Sequence, residues 1–257
     1  MGKEIGGMKS MVKHYVIISS AYSIGKRVAL YYCDKDILQM DVIKKDIDYI
    51  KDKCGTLIQI STHFVQTEEE GFDKLQEYDK FFSGIEVIET KEEFVDIILK
   101  DRILSGVDVA KYILTKVPCT HLKLEKLVYM CYADYLCNEN KQLFNDVIYA
   151  YKYGPVIKSV YDKYKKNGYE MIEDHETYDE CNQELPIKSR FLVAEDGIKK
   201  IISIDNTLKK YKDFDANKLV ALTHKEASPW FLAGAGELVN AVITDDLIRN
   251  YHKNEII

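Results

Sequence analysis

Three groups of side chains in this 257-residue chain have the residue types that chemistry requires. The first is Thr223-His224, a hydroxyl beside an imidazole, followed shortly by Pro229-Trp230, which holds the single tryptophan. Imidazole titrates near neutrality and a neighbouring hydroxyl can act as a nucleophile. Adjacent residues on a helix point about 100 degrees apart, however, so these two do not face each other as nucleophile and base must. The structural assignment is preferred: Thr223 or His224 hydrogen-bonds a helix end, Pro229 opens the next helix and Trp230 fills the core. The second group, Cys119, His121 and Cys131, has neither the close pairs nor the four members of a zinc site. His121, in the first turn of a helix whose end is positive, is poorly placed to carry charge and is expected to face solvent. The third, Ser23-Ile24-Gly25-Lys26, lacks the glycine spacing of a phosphate-binding loop and reads as a turn. The expectation is therefore no catalytic residue, no metal and no cofactor.

The elements around these residues follow from periodicity. Tyr151-Lys152-Tyr153-Gly154-Pro155-Val156, followed by Val160-Tyr161, marks an abrupt corner. Glycine takes backbone angles closed to other residues and proline suits a first helical turn, so a helix is expected to start at Pro155 and run from Val156 to Lys166. Tyr153 and Tyr161 are expected beneath this corner. Tyr151, Tyr164, Lys158 and Lys165 are the candidates for partner contact, because tyrosine buries area at little entropic cost. Lys158, Lys163, Lys165 and Lys166 interleaved with tyrosines could touch nucleic acid, but a solvated lysine face is commoner and no helix-turn-helix pattern accompanies them.

Upstream, Asp108 to Lys116 reads as a helix ending before Pro118. Thr120 caps the next helix, where Leu124, Leu127, Val128, Cys131 and Tyr135 form one apolar core stripe. Downstream, Lys165-Lys166-Asn167-Gly168 suits a helix end, Glu173 to Glu184 a solvated acidic loop, and Phe191-Leu192-Val193 a short extended piece. Helical patterns occupy Gly197 to Tyr211, Asn217 to His224 and Thr244 to His252.

The first hundred residues alternate differently. Tyr15 to Ser19 and Val28 to Tyr32 read as a hairpin, and Ile37, Val42, Ile43, Ile47 and Ile50 as a helix stopping at Cys54-Gly55. A strand at Leu57 to Thr62, a helix at Glu68 to Phe82, a strand at Ile85 to Ile88 and a helix at Lys91 to Leu104 follow. The fold class is thus α+β, with a small α/β domain at 1–104 and a mainly α-helical domain at 105–257.

A net charge of -6 argues against a protein whose main partner is a phosphate backbone. No apolar run is long enough to span a bilayer, and no secretion signal opens the chain, so a cytoplasmic location without membrane contact is expected. Met1-Gly2 fails as a myristoylation signal because Gly6 stands where serine or threonine is needed. The six cysteines, Cys33, Cys54, Cys119, Cys131, Cys137 and Cys181, include no CxxC pair and read as buried thiols, with neither a disulfide framework nor a zinc site.

In motif and order, about the last 150 residues resemble the Panacea domain, the SocA-like or DUF4065 family. The resemblance rests on Asp108-Val109-Ala110-Lys111, on Leu122-Lys123-Leu124-Glu125-Lys126-Leu127-Val128-Tyr129, on Tyr151 to Val156 with Val160-Tyr161, and on Leu222-Thr223-His224 with Pro229-Trp230. Glu125 stands where the family often has glutamine, and Tyr151 where tryptophan is frequent. The resemblance implies motif positions at Lys126, Tyr153, Gly154, Pro155, Tyr161, Thr223, His224, Pro229 and Trp230. It also implies a phage-associated antitoxin, carried on a mobile element or prophage, that neutralises a cognate protein toxin by direct binding and not by turnover. One alternative is a proteolytic adaptor handing a toxin or other client to an ATP-dependent protease; another is an enzyme or nucleotide-binding protein acting through residues 1–104. Nucleic acid is not an expected partner, and a homodimer is left open.

Overall fold

The computed structural model describes residues 11–22, 24–55, 58–173, 184–235, 237–238 and 241–256. It divides into two compact units, Met1–Arg102 and Ile103–Ile257. The secretion-signal and lipidation readings at the N-terminus, Ser23 of the turn, and most of the acidic tract lie outside the described residues.

In the first unit, β1 (Val12–Ala21) and β2 (Lys26–Asp34) form the expected hairpin, turning through Gly25 at φ 65°. The sheet order is β3-β1-β2-β4, with β3 (Ser61–Thr67) antiparallel to β1 and β4 (Ile85–Val87) parallel to β2. Apolar groups cover both faces of the central strands, which explains their continuous apolar runs. Ile17, Val28 and Leu30 pack with Ile43 and Ile50 of α1 (Met40–Cys54) and with Phe94 and Ile98 of α3 (Lys91–Asp101). Val16, Ile18 and Ala29 pack with Leu75 of α2 (Phe72–Tyr78) and with Phe82.

Four expectations change here. The strand placed at Leu57 to Thr62 is shifted to Ser61–Thr67, where exposure alternates along the edge strand from Thr62 to Thr67, while Ile58 and Ile60 reach the core from irregular backbone. The single helix at Glu68 to Phe82 is broken at Asp79, whose extended backbone and carboxylate cap a separate 3-10 turn, Lys80–Phe82. Ile37 stays outside α1 and is exposed, and α3 stops at Asp101 before Leu104.

In the second unit everything is arranged around α5 (His121–Glu139), capped by Thr120, whose hydroxyl accepts the Lys123 amide. Its apolar face is not a stripe: every residue from Leu124 to Leu136 is buried, so α5 is enclosed as only a core helix is. Packed on it are α4 (Gly106–Leu114), α8 (Gly197–Tyr211), α9 (Ala216–Thr223) and α11 (Asp245–Tyr251). Asp108 does not start α4 but closes a capping box with Ser105. Phe191, Leu192 and Val193 are helical, ending α7 (Glu184–Val193), not extended.

The corner is also corrected. Tyr151 to Val156 does not open a helix: β5 (Ile148–Tyr151) and β6 (Gly154–Ile157) form a tight hairpin, and α6 (Lys158–Tyr164) starts three residues after Pro155. Proline is tolerated in β6 because it lies opposite Ala150 in a pair whose backbone groups point away from each other: the Ala150 N–H donates outward to the Ala241 carbonyl at 2.8 Å, so the ladder needs no N–H at Pro155. α10 (Pro229–Leu232) begins at Pro229, with Ser228 as its cap. Among the described residues no helix is long and apolar enough to cross a membrane.

Candidate functional site

Two consecutive charged residues of α5, fully buried, hold the outer edge of β6. Lys126 Nζ donates to the Pro155 carbonyl at 2.6 Å, and Glu125 Oε2 accepts the Ile157 N–H at 3.1 Å. An edge strand with open backbone groups invites further pairing, so these side chains stand in for a neighbouring strand. The outer edge of β5 is closed likewise by residues 241–243, through Ala150 N–H to Ala241 and Ile243 N–H to the Ile148 carbonyl.

Gly154 makes this approach feasible. Its φ is 103°, and a Cβ there would lie 2.9 Å from both Lys126 Nζ and Thr223 Oγ1. Thr223, wholly buried, donates its hydroxyl to the Val220 carbonyl, and its own carbonyl accepts from Ser228 Oγ. Ser228 Oγ in turn accepts the Phe231 N–H at the start of α10. His224 lies flat on Trp230, with centroids 3.7 Å apart and planes 3° apart, and Trp230 Nε1 donates to the Tyr151 carbonyl at 2.8 Å. The Thr-His and Pro-Trp residues thus form one clasp between α9, α10 and the end of β5.

In front of this clasp is a cavity of about 800 Å³, lined by His121, Leu122 and Lys126 of α5, by Tyr151, Tyr153 and Val156 of the hairpin, and by Tyr161. The His121 ring lies 5.1 Å from that of Tyr161, which meets Tyr151 edge-on at 5.8 Å. Burial, followed by the Lys126 charge, pushes the pKa values of His121 and His224 down, so both imidazoles favour the neutral form. Burial also pulls Lys126 down and pushes Glu125 up, each partly offset by the other's charge. His121 Nε2 and Glu125 Oε1 lie 3.8 Å apart, and both are buried without a hydrogen-bond partner among the described residues.

Several sequence assignments are corrected by this geometry. Tyr153 is not beneath the corner but 61% exposed at the cavity mouth. Tyr164, a candidate for partner contact, is 3% exposed and belongs to the core. His121 does not face solvent; it lines the cavity, with its side chain 14% exposed. Tyr161 and Tyr151 are half-buried in the cavity wall. Lys158 and Lys165 are exposed and share the carboxylate of Asp162. Of the cysteines expected to be buried, Cys54, Cys119 and Cys131 are, whereas Cys33 and Cys137 are exposed.

The sequence reading missed a second polar cluster. His252 Nε2 meets Asp134 Oδ1 at 3.0 Å and its Nδ1 meets Glu255 Oε2 at 2.7 Å, while Tyr129 donates to Glu255 and Thr207 to Asp134. Burial alone would lower the His252 pKa, but the bonds to Asp134 and Glu255 hold it up at about 9. This cluster ties α5 and α8 to the 3-10 turn His252–Asn254. Among the described residues no group of histidine, cysteine and carboxylates is arranged to hold a metal ion.

Comparison with known proteins bears on this unit. Residues 124–231 match the family described as Antitoxin SocA-like, Panacea domain, which takes in Lys126, the hairpin wall of the cavity and the Thr-His and Pro-Trp clasp, and begins just after the cavity-lining His121 and Leu122. The chain is 26% identical over 127 residues to Antitoxin SocA of Caulobacter vibrioides (strain NA1000 / CB15N), covering 48% of this chain and 64% of that protein. It therefore spans less than two thirds of that relative's length. No solved structure matches it.

Proposed function

We propose, from the premise that residues 124–231 form a SocA-like Panacea domain, that this protein is an antitoxin that neutralises a cognate toxin by binding it. The observation that carries the reading is where the family-motif residues lie. Lys126, Gly154, Pro155, Thr223, His224 and Trp230 support one tyrosine-edged cavity by direct contacts with each other and with its walls. A concave, partly apolar site with a few fixed polar groups suits recognition.

A binding role without turnover fits the arrangement of the motif groups. The Thr223 hydroxyl is engaged with the Val220 carbonyl and His224 is stacked on Trp230, so neither is disposed as nucleophile or base towards the other. Toxin inhibition by such a surface would draw on buried aromatic and aliphatic contacts. The partner toxin is expected to be encoded beside this gene, and the protein to act inside the cell that makes that toxin. Growth of cells expressing the neighbouring gene's product, with and without this protein, tests the proposal. Toxicity that persists in the presence of folded protein would refute it.

A further inference from the structure

The cavity floor holds an ammonium group with unused capacity. Lys126 is fully buried, its one hydrogen bond among the described residues is to the Pro155 carbonyl, and the residue lines the cavity. An ammonium has three donors, and a buried charge is costly unless it is paired and hydrogen-bonded. Beside it, His121 Nε2 has no hydrogen-bond partner among the described residues and also belongs to a cavity-lining residue. The neutral imidazole can present that nitrogen as a donor. The free oxygen of Glu125 is turned toward His121, and burial favours its protonated form, so it does little to satisfy the cation. The walls above are apolar and aromatic, from Leu122, Val156, Tyr151 and Tyr161.

Resting on the reading of this surface as the toxin-binding site, we propose that the cavity receives the C-terminal end of the partner polypeptide. The terminal carboxylate would sit on Lys126 and His121, and the last apolar side chains between Tyr151 and Tyr161. The charge complementarity is direct, since donors at the floor call for an acceptor-rich anion. Capture of a chain-end carboxylate is an established way of recognising peptides. The volume of about 800 Å³ suits a few residues of chain. A chain end is favoured over an internal acidic side chain by backbone accounting. An internal segment would carry amides and carbonyls on both sides of the acidic residue into the cavity. The hairpin edges that might pair with them are already taken by Glu125, Lys126, Ala241 and Ile243.

The test uses the full chain and the fluorescence of Trp230, whose indole is bonded to the cavity-lining Tyr151. The probes are acetyl-tetrapeptides ending in two residues drawn from Leu, Ile, Val, Phe and Tyr, each made as the free acid and as the C-terminal amide. The expected result is saturable binding of acids, with the best acid at least tenfold tighter than its amide and the difference lost in Lys126→Met. Equal binding of acid and amide, or binding of no acid in the set, overturns the inference. If Lys126→Met does not fold, the acid-to-amide ratio in the unaltered chain decides. Tyr161→Ala should weaken the best acid at least fivefold while preserving that ratio, and an unchanged affinity would count against the site. Toxin rescue is read separately: rescue without acid selectivity removes this inference alone, whereas selectivity without rescue removes the antitoxin reading and leaves the cavity.

Discussion

Lys126 Nζ and the Pro155 carbonyl lie 2.6 Å apart, and that bond fixes the hairpin to the central helix through the one backbone edge a proline leaves open. Gly154 is what lets the ammonium approach. Gly154→Ala should destabilise the second unit by about 2–3 kcal/mol, since it combines left-handed backbone strain with a clash against Lys126 and Thr223. Gly168→Ala, also at positive φ but in open space, should cost about 1 kcal/mol. Urea unfolding of both variants measures the difference, and equal costs would refute the close-approach argument.

Trp230 contributes a stacked ring and one hydrogen bond, which substitution can separate. Trp230→Phe should lose about 1 kcal/mol, for the bond to the Tyr151 carbonyl. Trp230→Ala should lose about 3–5 kcal/mol, for the ring packed on His224 as well. Calorimetric unfolding of the two variants gives the ordering.

His252 supplies a pH signature. Its folded-state pKa of about 9 lies above the ordinary histidine value of 6.5, so its contribution to stability is complete below about pH 6.5 and is lost as pH rises to 9. His252→Gln should be less stable than the unaltered chain at pH 6, and the gap should close by pH 9.5. Urea midpoints across that range check it, and a gap independent of pH would contradict the assignment.

Glu125 acts in the same direction by a different cause. Burial raises its folded-state pKa above the ordinary glutamate value of 4.5, so stability present below that value is lost as pH rises through the raised pKa. Glu125→Gln keeps an oxygen for the Ile157 amide and removes the buried charge. Its stability relative to the unaltered chain should therefore improve from pH 5 to pH 8.5, and a steady or falling difference would contradict the account.

Local chemistry was the legible part of the sequence. The span Gly197–Tyr211, the Thr120 cap and the helix opened by Pro229 depend on nearby residues, and the structure has all three. The hairpin was not legible, because Gly-Pro serves equally as a helix start, and the carbonyl that takes the outward Ala150 N–H belongs to Ala241, far along the chain. The enclosure of α5 was hidden by Glu125, Lys126 and Asp134, whose charges mimic a solvent face. Their partners, Ile157, Pro155 and His252, are 32, 29 and 118 residues away. Motif order did point to the family, and Lys126, Tyr151, Tyr153 and Tyr161 of the cavity were singled out. His121 was misread because the first turn of an isolated helix is exposed, whereas here Tyr161 folds over it.

The most direct measurement of the central claim is growth and co-purification when the full chain is expressed with the toxic product of its neighbouring gene. The account predicts restored growth and a stable complex of the two proteins, both weakened by Gly154→Ala in proportion to the folded protein lost. Continued toxicity beside abundant folded protein, with no complex recovered, would contradict it.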